Sequence, residues 1–245
     1  MTPRVAPPRY FKVYSERRCG SGYLTLLLQR NFIIEYLGGH WTAPLGWKHG
    51  VPDPQLLSAD PRRAETVFFF LTRNPYSWVW SMKRFAPHMW HKCDLPLPGF
   101  FADPWDERGR LAEGGASIEG FSYANLLELR YRKLEAAGVV ALQPQHCLIR
   151  YEDIVSDWNR FLQRCEITFS WKRRLRELHD VTDRADYTRA VVFADDQREH
   201  IDARNTRAAI VAFFGRENLD ALNRLIDWEV EARFGYERIE FPEVG

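Results

Sequence analysis

The sequence has no long apolar segment and no strong excess of charge of either sign. No run of about 18 apolar residues occurs in the 245 residues, and no apolar stretch follows Met1-Thr2-Pro3-Arg4. These absences predict neither a membrane span nor a secretory leader. The formal net charge is +1, so no overall field favours nucleic acid or an anionic membrane as a partner. We therefore expect a cytoplasmic protein whose functional charge is local.

Cysteine is scarce and scattered. The four cysteines form no Cys-x-x-Cys pair, and their spacing predicts reduced thiols rather than a disulfide framework. His88, His91 and Cys93 lie close together in the chain, but His-x-x-His-x-Cys matches no common zinc spacing and would need a fourth ligand from elsewhere. We predict no metal site.

No internal repeat, low-complexity tract or linker divides the chain, so residues 1–245 are expected to form one domain. Continuous apolar runs predict buried strands at 10–14, 66–72 and 147–151, and helical patterns cover 21–35, 75–84, 121–137, 153–164 and 218–234. A further short strand is expected at 47–52. Strands that alternate with helices predict an α/β fold with a central parallel sheet flanked by helices, and a site at the carboxyl ends of the strands.

Residues 86–119 interrupt this alternation. Proline and glycine recur there among large aromatic residues, which are Trp90, Phe100, Phe101 and Trp105. A long loop inside a compact domain is more often a binding loop than a simple connection. We predict that residues 86–119 contact a substrate.

Two basic turns follow two of the predicted strands. Residues 15–23 connect the first strand to a helix, and Arg73-Asn74-Pro75 connects the strand at 66–72 to a helix that carries Ser81. A basic turn at a helix N-terminus combines free backbone N–H groups with fixed positive charge, which is what a phosphate or sulfate requires. Two such corners predict a ligand with two separate anionic ends.

The first of these turns is not an NTPase P-loop. That motif places a Lys directly after its second Gly, whereas Gly20 is followed by Ser21, Ser15 replaces the first Gly, and the basic residue Arg18 precedes Gly20. The ATP-binding Lys and the Mg²⁺-binding hydroxyl are therefore out of register. A nucleotide or sugar kinase with an atypical loop stays an alternative, as does a non-catalytic nucleotide-binding module.

Four motifs, in order along the chain, resemble those of sulfotransferases that use 3′-phosphoadenosine 5′-phosphosulfate. Residues 17–23 resemble the 5′-phosphosulfate loop, Pro-(Lys or Arg)-Ser-Gly-Thr-Thr-Trp, and Arg73-Asn74-Pro75 with Ser81 has the spacing of the 3′-phosphate motif. Residues 148–153 resemble the later strand that ends in Tyr-Glu-Asp, and Phe234-Gly235-Tyr236 resembles a common ending of bacterial members. The resemblance covers about residues 10–236.

The resemblance implies a P-loop-NTPase-like sulfotransferase fold. It also implies transfer of a sulfonate group from this donor to a hydroxyl or amine of a small-molecule or carbohydrate acceptor, which would enter past residues 86–119. The donor-binding residues that it implies are Arg17, Arg18, Cys19, Gly20, Ser21, Gly22, Tyr23, Arg73 and Ser81. In this interpretation Arg18 cradles the phosphosulfate, Gly20 lets the backbone approach it, Arg73 offers a planar fork to the 3′-phosphate, and Tyr23 stacks on adenine.

The candidate catalytic residues are His49, Lys48 and Arg18. Sulfonate transfer requires a base for the acceptor proton and cations for the charge on the leaving phosphate. The family carries a Lys and a His close together, usually with one residue between them. In this chain they are adjacent, and neighbouring side chains of a strand point to opposite faces. We predict His49 as the base and Lys48 as the leaving-group contact, with Asp53 as the alternative base.

One motif of many family members is missing. These proteins close the 3′-phosphate pocket with a late Arg-Lys-Gly run, which this sequence lacks. Arg198, Arg204 and Arg207 are the candidates to replace it. Tyr151-Glu152-Asp153 is expected to begin a helix, where acidic side chains meet the positive end of the helix dipole.

Overall fold

A computed structural model describes residues 7–40, 43–84, 90–107, 121–181 and 206–242. The strands in these ranges are β1 (Tyr10–Ser15), β2 (Glu35–Tyr36), β3 (Thr66–Thr72), β4 (Trp105–Glu107), β5 (Phe121–Tyr123) and β6 (His146–Arg150). The helices there are α1 (Ser21–Asn31), α2 (Pro54–Ala59), α3 (Pro75–Arg84), α4 (Trp90–Cys93), α5 (Leu97–Ala102), α6 (Leu126–Ala141), α7 (Tyr151–Ser156), α8 (Trp158–Phe169), α9 (Arg207–Leu225) and α10 (Trp228–Ala232).

The centre of the fold is a parallel sheet of four strands in the order β2-β1-β3-β6. β1 pairs with β3 from Tyr10↔Thr66 to Ser15↔Leu71, and β3 pairs with β6 from Phe68↔His146 to Thr72↔Arg150. The strands run in one direction, so the chain leaves β1, β3 and β6 at the same edge of the sheet. The predicted α/β fold with a central parallel sheet flanked by helices is confirmed.

Strand β3 is buried along its whole length, as its continuous apolar sequence predicts. Val67, Phe69 and Leu71 belong to one apolar cluster, which includes the leucines of α1. Phe68 and Phe70 belong to a second cluster that includes residues of α6. Both faces of the sheet are therefore covered, and the only polar surface that β3 can offer lies where the strand ends.

Helix α1 buries the predicted apolar stripe but ends earlier than expected. Leu24, Leu27 and Leu28 are fully buried, while the helix stops at Asn31 instead of continuing to Glu35. The Asn31 Nδ2 donates to the carbonyls of Leu27 and His179 (2.8 and 2.7 Å), so this side chain terminates the helix and ties it to a distant segment. The next residues then extend into β2.

Two other helix boundaries differ from the prediction because Asn and Asp side chains cap helices. The helix expected from Phe121 begins only at Leu126, because Asn125 accepts hydrogen bonds from the N–H groups of the first turn of α6. The three residues Phe121–Tyr123 instead pair with β4. The helix expected over 153–164 is two helices, since Asp157 interrupts it and caps α8.

The predicted helix at 218–234 is likewise two helices. Helix α9 already begins at Arg207, contains a break at Gly215 (φ 66°) and ends at Leu225. Asp227 then caps α10 with bonds from the N–H groups of Glu229 and Val230. The sequence predicts Leu219, Leu222, Ile226 and Val230 on the inward face; the first three are buried, and Val230 is partly buried.

The strand expected at 47–52 is a turn. Gly50 N donates to the carbonyl of Trp47 (3.0 Å), and Ser15 N donates to the carbonyl of Lys48 (2.9 Å). The turn therefore lies beside the end of β1. Since Lys48 and His49 are not in a strand, the alternation that would separate their side chains does not apply.

The part of residues 86–119 that the structure describes is not an irregular loop. It contains α4, α5 and β4, and Phe100, Phe101 and Trp105 are at most 1% exposed. These three aromatic side chains are core residues, and none of them can form a platform for a substrate. Residues 85–89 and 108–120 lie outside the described residues. Within the described ranges, no helix combines the length and the apolar character that crossing a membrane would require.

Candidate anion-binding site

The two predicted basic corners form one cluster at the carboxyl edge of the sheet. Arg73, which follows β3, donates through Nη1 to the backbone carbonyl of Arg18 (3.2 Å). The Arg18 side chain in turn donates through Nε to Ser81 Oγ in helix α3 (3.1 Å). Two arginines and a serine from separate segments therefore lie side by side. The Arg18 guanidinium lies against Ser81, on the side of the Arg73 corner, whereas the sequence motif placed it at the opposite end of the ligand.

The loop between β1 and α1 has an unusual backbone. Arg18 has a φ of 65° and Gly20 a φ of 85°. Both values lie in the left-handed region, which costs residues other than glycine roughly 1–2 kcal/mol. A Cβ on Gly20 would lie 2.4 Å from two ring carbons of Tyr151. Position 20 therefore requires glycine for two reasons: the backbone is left-handed there, and the Tyr151 ring occupies the place of a Cβ. The Trp78 indole donates to the Arg17 carbonyl (2.8 Å) and fixes the loop from the other side.

Helix α1 begins at this loop without a side-chain cap. Gly20 occupies the N-cap position, and no acidic residue is present in the first turn. The first N–H groups of a helix have no partner within the helix. An uncapped helix N-terminus next to Arg18 is a favourable place for an anion.

Arg73 has two buried donors that the protein leaves without a hydrogen-bond partner. Its side chain is only 5% exposed, yet Nε and Nη2 have no hydrogen-bond partner. The guanidinium lies over the ring of Tyr151, with Cζ 4.9 Å from the ring centroid. A buried donor without a partner costs about 1–3 kcal/mol, and more when it is charged. An oxyanion such as a phosphate, with two oxygens facing the planar guanidinium, would remove that cost.

The corner that carries Arg73 is held by the Tyr-Glu-Asp segment. Glu152 Oε1 accepts a hydrogen bond from Asn74 N (2.9 Å), and Glu152 Oε2 accepts one from the Tyr236 hydroxyl (3.2 Å). Helix α7 begins at Tyr151, in the segment expected to begin a helix, and β6 therefore ends at Arg150, one residue before the end of the predicted strand. Asp153 pairs with Arg150. Glu152 therefore fixes the turn after β3 to the start of α7.

A buried group of charges lies beneath the cluster. Arg130 of α6 pairs with Glu16 (Nη1–Oε2 2.7 Å) and with Glu231 of α10 (Nε–Oε1 2.5 Å, Nη2–Oε2 2.8 Å). All three side chains are fully buried. Burial alone lowers the pKa of Arg130, but the two carboxylates outweigh it and hold that pKa well above its usual value. Arg130 Nη2 also donates to the backbone carbonyl of Arg73 (2.8 Å).

Sequence reasoning missed this triad, although a signal was present. Arg130 and Lys133 fall at helical spacing between the buried Leu126 and Ala137, so they lie on the inward face of α6. Charged residues on an inward face are almost never buried unless they are paired. The partners Glu16 and Glu231 are 114 and 101 residues away in the chain. No local pattern could have identified them.

His49 lies beside the end of β1. Its Nδ1 is 3.1 Å from the carbonyl oxygen of Ser15. A carbonyl only accepts hydrogen bonds, so Nδ1 carries the proton and Nε2 holds a lone pair. The His49 pKa is well below its usual value because of burial and because of the charges of Lys48, Arg17 and Lys133. The imidazole is therefore neutral at physiological pH.

Lys48 and Lys12 lie in a desolvated environment that disfavours their charged form. Burial, together with the nearby Arg17, lowers the pKa of Lys48. Burial and then Lys48 lower the pKa of Lys12 to about 7. Lys12 donates to the carbonyls of Gly38 and Gly46 (2.9 and 2.5 Å). Among the described residues, neither lysine has a carboxylate within ion-pair distance.

Other predicted donor-site residues have protein partners. The Tyr23 hydroxyl donates to Asp180 (2.7 Å), and the Cys19 thiol donates to Glu16 Oε2 (3.4 Å). Burial and Glu16 raise the pKa of Cys19 well above its usual value. Since the thiol faces inward, Cys19 can offer a ligand its backbone N–H. The Arg17 guanidinium lies 4.7 Å from the centroid of a Trp47 ring.

The alternative base Asp53 and the late arginine Arg207 do not join the cluster. Asp53 caps helix α2 by accepting bonds from Gln55 N and Leu56 N. Arg207 is exposed at the start of α9 and donates to the carbonyl of Glu240 (3.0 Å). Arg198 and Arg204 lie outside the described residues.

A separate groove of about 510 Å³ lies between β6 and α8. Its carboxylates are engaged, because Asp153 pairs with Arg150 and Asp157 accepts the bond from Arg160 N that caps α8. None of the residues of the anion cluster lines it. We therefore place the candidate anion site at the ends of β1 and β3 and not in this groove.

Over the ranges that the structure describes, no group of three or more His, Cys, Asp or Glu side chains is arranged to hold a metal ion. Of the His-x-x-His-x-Cys segment, His88 falls outside those ranges. No protein-family model matches the chain, and no curated protein is detectably similar to it in sequence.

Proposed function

We propose that this chain is a sulfotransferase with a P-loop-NTPase-like fold. It transfers a sulfonate group from 3′-phosphoadenosine 5′-phosphosulfate to a hydroxyl or amine of a small-molecule or carbohydrate acceptor. The observation that carries the proposal is the buried Arg73 guanidinium, whose Nε and Nη2 have no partner, beside Arg18 and Ser81. These three residues are among the nine that the sequence motifs assign to the donor.

The roles follow from the positions of the side chains. Arg73 and Ser81 bind the 3′-phosphate, since a guanidinium fork and a hydroxyl both suit phosphate oxygens. The first turn of α1 binds the 5′-phosphosulfate. Arg18, whose guanidinium lies against Ser81 in the free protein, would have to leave that hydroxyl to join it. In the transfer, the acceptor oxygen forms a bond to sulfur while the bond from sulfur to the phosphate oxygen breaks. The electron pair of that bond stays on adenosine 3′,5′-bisphosphate, and Lys48 and Arg18 stabilise its charge.

His49 takes the proton of the acceptor through Nε2. In the free protein its pKa is lowered by burial and then by Lys48, Arg17 and Lys133, so the imidazole is a weak base. A bound anion beside Lys48 and Arg17 offsets these cations and raises the His49 pKa toward neutrality. The base therefore becomes effective only when the donor is bound.

Binding of nucleotides separates this function from its alternatives. Isothermal titration calorimetry would compare adenosine 3′,5′-bisphosphate, AMP and ATP–Mg²⁺. We expect the bisphosphate to bind at least tenfold more tightly than AMP, because the 3′-phosphate reaches Arg73. ATP–Mg²⁺ binding equal to that of the bisphosphate would favour a kinase and would contradict the proposal.

A substitution series assigns the 3′-phosphate contact. Arg73→Gln is expected to lower bisphosphate affinity at least tenfold and to leave AMP affinity unchanged. Arg173→Gln is the matched control, because Arg173 pairs with Glu166 on the exposed surface. Equal loss of affinity for both nucleotides in Arg73→Gln would show that Arg73 does not bind the 3′-phosphate.

The role of His49 can be tested without knowing the acceptor. An NMR titration of the imidazole Cε1–H signals would be recorded with and without the bisphosphate. The His49 pKa is expected to rise on binding, whereas His146, at the opposite end of β6, is the internal control and should not respond. A His49 pKa that does not change on saturation with bisphosphate would place the anion elsewhere. With a labelled donor and an acceptor found by screening, His49→Ala should lose transfer while keeping bisphosphate affinity.

A further inference from the structure

Strand β6 forms an edge of the central sheet. Within the described ranges it pairs with β3 alone. Phe68 N donates to the carbonyl of Gln145 (2.9 Å), and this bond fixes the alternation along the ladder. The backbone groups of a parallel strand point alternately to its two sides. The odd-numbered residues of β6 therefore bond to β3, and the even-numbered residues direct their backbone groups away from it.

The outward groups of β6 form a short template for another strand. They are the carbonyl of His146, the N–H and the carbonyl of Leu148, and the N–H of Arg150. Leu148 is 46% exposed, so solvent reaches the middle of this edge. Such a row of outward N–H and C=O groups pairs readily with another extended chain.

The groove of about 510 Å³ runs along this edge. All five residues of β6 line it, although successive side chains of a strand point to opposite faces. The groove therefore follows the backbone of β6 and not one face of the sheet. Its other wall is one face of α8, where Asp157, Arg160, Arg164 and Thr168 recur at intervals of three or four residues.

The net charge of the groove is positive. Its lining contains three arginines and two aspartates, and both aspartates already bind other groups of the protein. In the part of the chain that the structure describes, neither Arg160 nor Arg164 has a carboxylate at ion-pair distance. Burial raises the pKa of the Cys147 thiol, and the charge of Arg164 opposes that rise, so Arg164 lies close to the strand.

The spacing of these two arginines matches that of an extended chain. Arg160 and Arg164 are one helical turn apart, about 6 Å along α8 at 1.5 Å per residue. Alternate residues of a strand are about 6.6 Å apart at 3.3 Å per residue, and their side chains point to the same face.

We propose that the groove binds an acidic segment of a partner protein, which adds a fifth strand beside β6. Two carboxylates at alternate positions of this segment meet Arg160 and Arg164, while its backbone pairs with the outward groups of β6. A second copy of β6 fits less well, because that strand contains His146 and Arg150 and no carboxylate. It would add positive charge to a groove that already has an excess of it.

Hydrogen exchange in the free protein tests whether the edge is open. The Leu148 amide should exchange at least a hundredfold faster than the amides of Cys147 and Ile149, which bond to β3. Equal protection of the three amides at every protein concentration would mean that the edge is covered, and would overturn the proposal. Protection of Leu148 that increases with protein concentration would assign the edge to a second copy and would also contradict it.

A short acidic peptide tests the strand pairing. The probe is acetyl-Thr-Glu-Val-Glu-Thr amide, titrated into the protein and followed by amide chemical shifts. Saturation should slow exchange of the Leu148 amide at least tenfold, and a peptide with lysine in place of both glutamates should bind at least tenfold more weakly. Absence of binding by the acidic peptide would overturn the proposal.

Two methylated peptides separate strand pairing from charge. One carries N-methyl groups on both glutamates and the other on the valine and both threonines. Since N–H groups alternate in direction along a strand, only one pattern blocks the side that faces β6. That peptide should bind at least tenfold more weakly than the probe, and the other within about threefold of it. Equal affinities of the two would mean that the groove reads charge alone, which contradicts strand addition.

A charge exchange identifies the arginine contact. Arg164→Glu, at an exposed position of α8, should weaken binding of the acidic peptide at least tenfold and strengthen binding of the lysine peptide. Arg132→Glu is the matched control, because Arg132 is exposed on α6 and does not line the groove. Unchanged affinities in Arg164→Glu, or equal changes in the two variants, would overturn the proposed contact.

Discussion

Lys12 allows the electrostatics of this site to be tested through the pH dependence of stability. It is a fully buried lysine in β1, and burial followed by Lys48 lowers its pKa from 10.5 to about 7. The unfolded chain therefore binds one more proton than the native protein between about pH 7 and pH 10.5. Stability rises with pH wherever the unfolded state binds more protons. The destabilisation that Lys12 causes is therefore largest at and below pH 7. It decreases as the pH rises from 7 to 10.5.

The size of the effect follows from the two pKa values. A difference of 3.5 between 10.5 and about 7 corresponds to about 5 kcal/mol of destabilisation below pH 7, at 1.36 kcal/mol per unit. Between pH 7.5 and pH 9.5 the contribution to the unfolding free energy should rise by about 2.5 kcal/mol. A neutral amine still has two N–H groups for the carbonyls of Gly38 and Gly46, so deprotonation removes charge without breaking these bonds.

The assay is urea denaturation of wild type and Lys12→Met at several values of pH between 6 and 9.5. Groups that do not interact with Lys12 contribute equally to both proteins, so the difference between the two curves reports Lys12 together with its interaction with Lys48. That difference should change by about 2.5 kcal/mol between pH 7.5 and pH 9.5. Lys172→Met, at an exposed lysine, is the matched control for removal of a lysine as such.

A pH-independent difference between wild type and Lys12→Met would refute the reasoning. It would show that Lys12 stays charged in the folded protein over this range, with water or an anion near its ammonium. The same result would remove the argument that Lys12 lies in a desolvated environment. A difference that changes in the opposite direction would require a carboxylate partner for Lys12, and the described residues contain none within ion-pair distance.

Gly20→Ala should destabilise the protein by roughly 2–4 kcal/mol in urea denaturation, because φ is 85° and the new Cβ would meet the Tyr151 ring. Gly138→Ala should instead stabilise it by roughly 0.5–1 kcal/mol, because that glycine is in α6 with open space around its Cβ position; equal effects of the two changes would contradict the loop geometry. The thiols of Cys19 and Cys165 should react with Ellman's reagent only on unfolding, because both are buried and burial raises the pKa of each. Rapid labelling of either in the native protein would show that its surroundings are open.

Local patterns in the sequence were sufficient for the elements of the sheet. The apolar run at Thr66–Thr72 and the helix Pro75–Arg84 have the predicted boundaries. The signal for β3 is strong because the strand is buried on both faces. The signal for α3 is strong because its first residue is a proline, which suits the first turn of a helix and not its interior. The predicted helix boundaries were wrong where a single side chain ends or begins a helix, as at Asn31 and Asn125. A capping hydrogen bond depends on local geometry more than on the periodicity of apolar residues.

For the candidate site, the sequence by itself determined which residues stand at the strand ends. Arg18 and Arg73 were identifiable because a basic residue between a buried strand and a helix N-terminus has few structural uses. Only the tertiary structure decided that both lie in one cluster and that Arg73 keeps two donors without partners. It also placed Lys48 and His49 in a turn against Ser15. No sequence pattern predicts contacts between segments more than a hundred residues apart, such as that of Arg130 with Glu16. These contacts depend on how the elements pack in three dimensions.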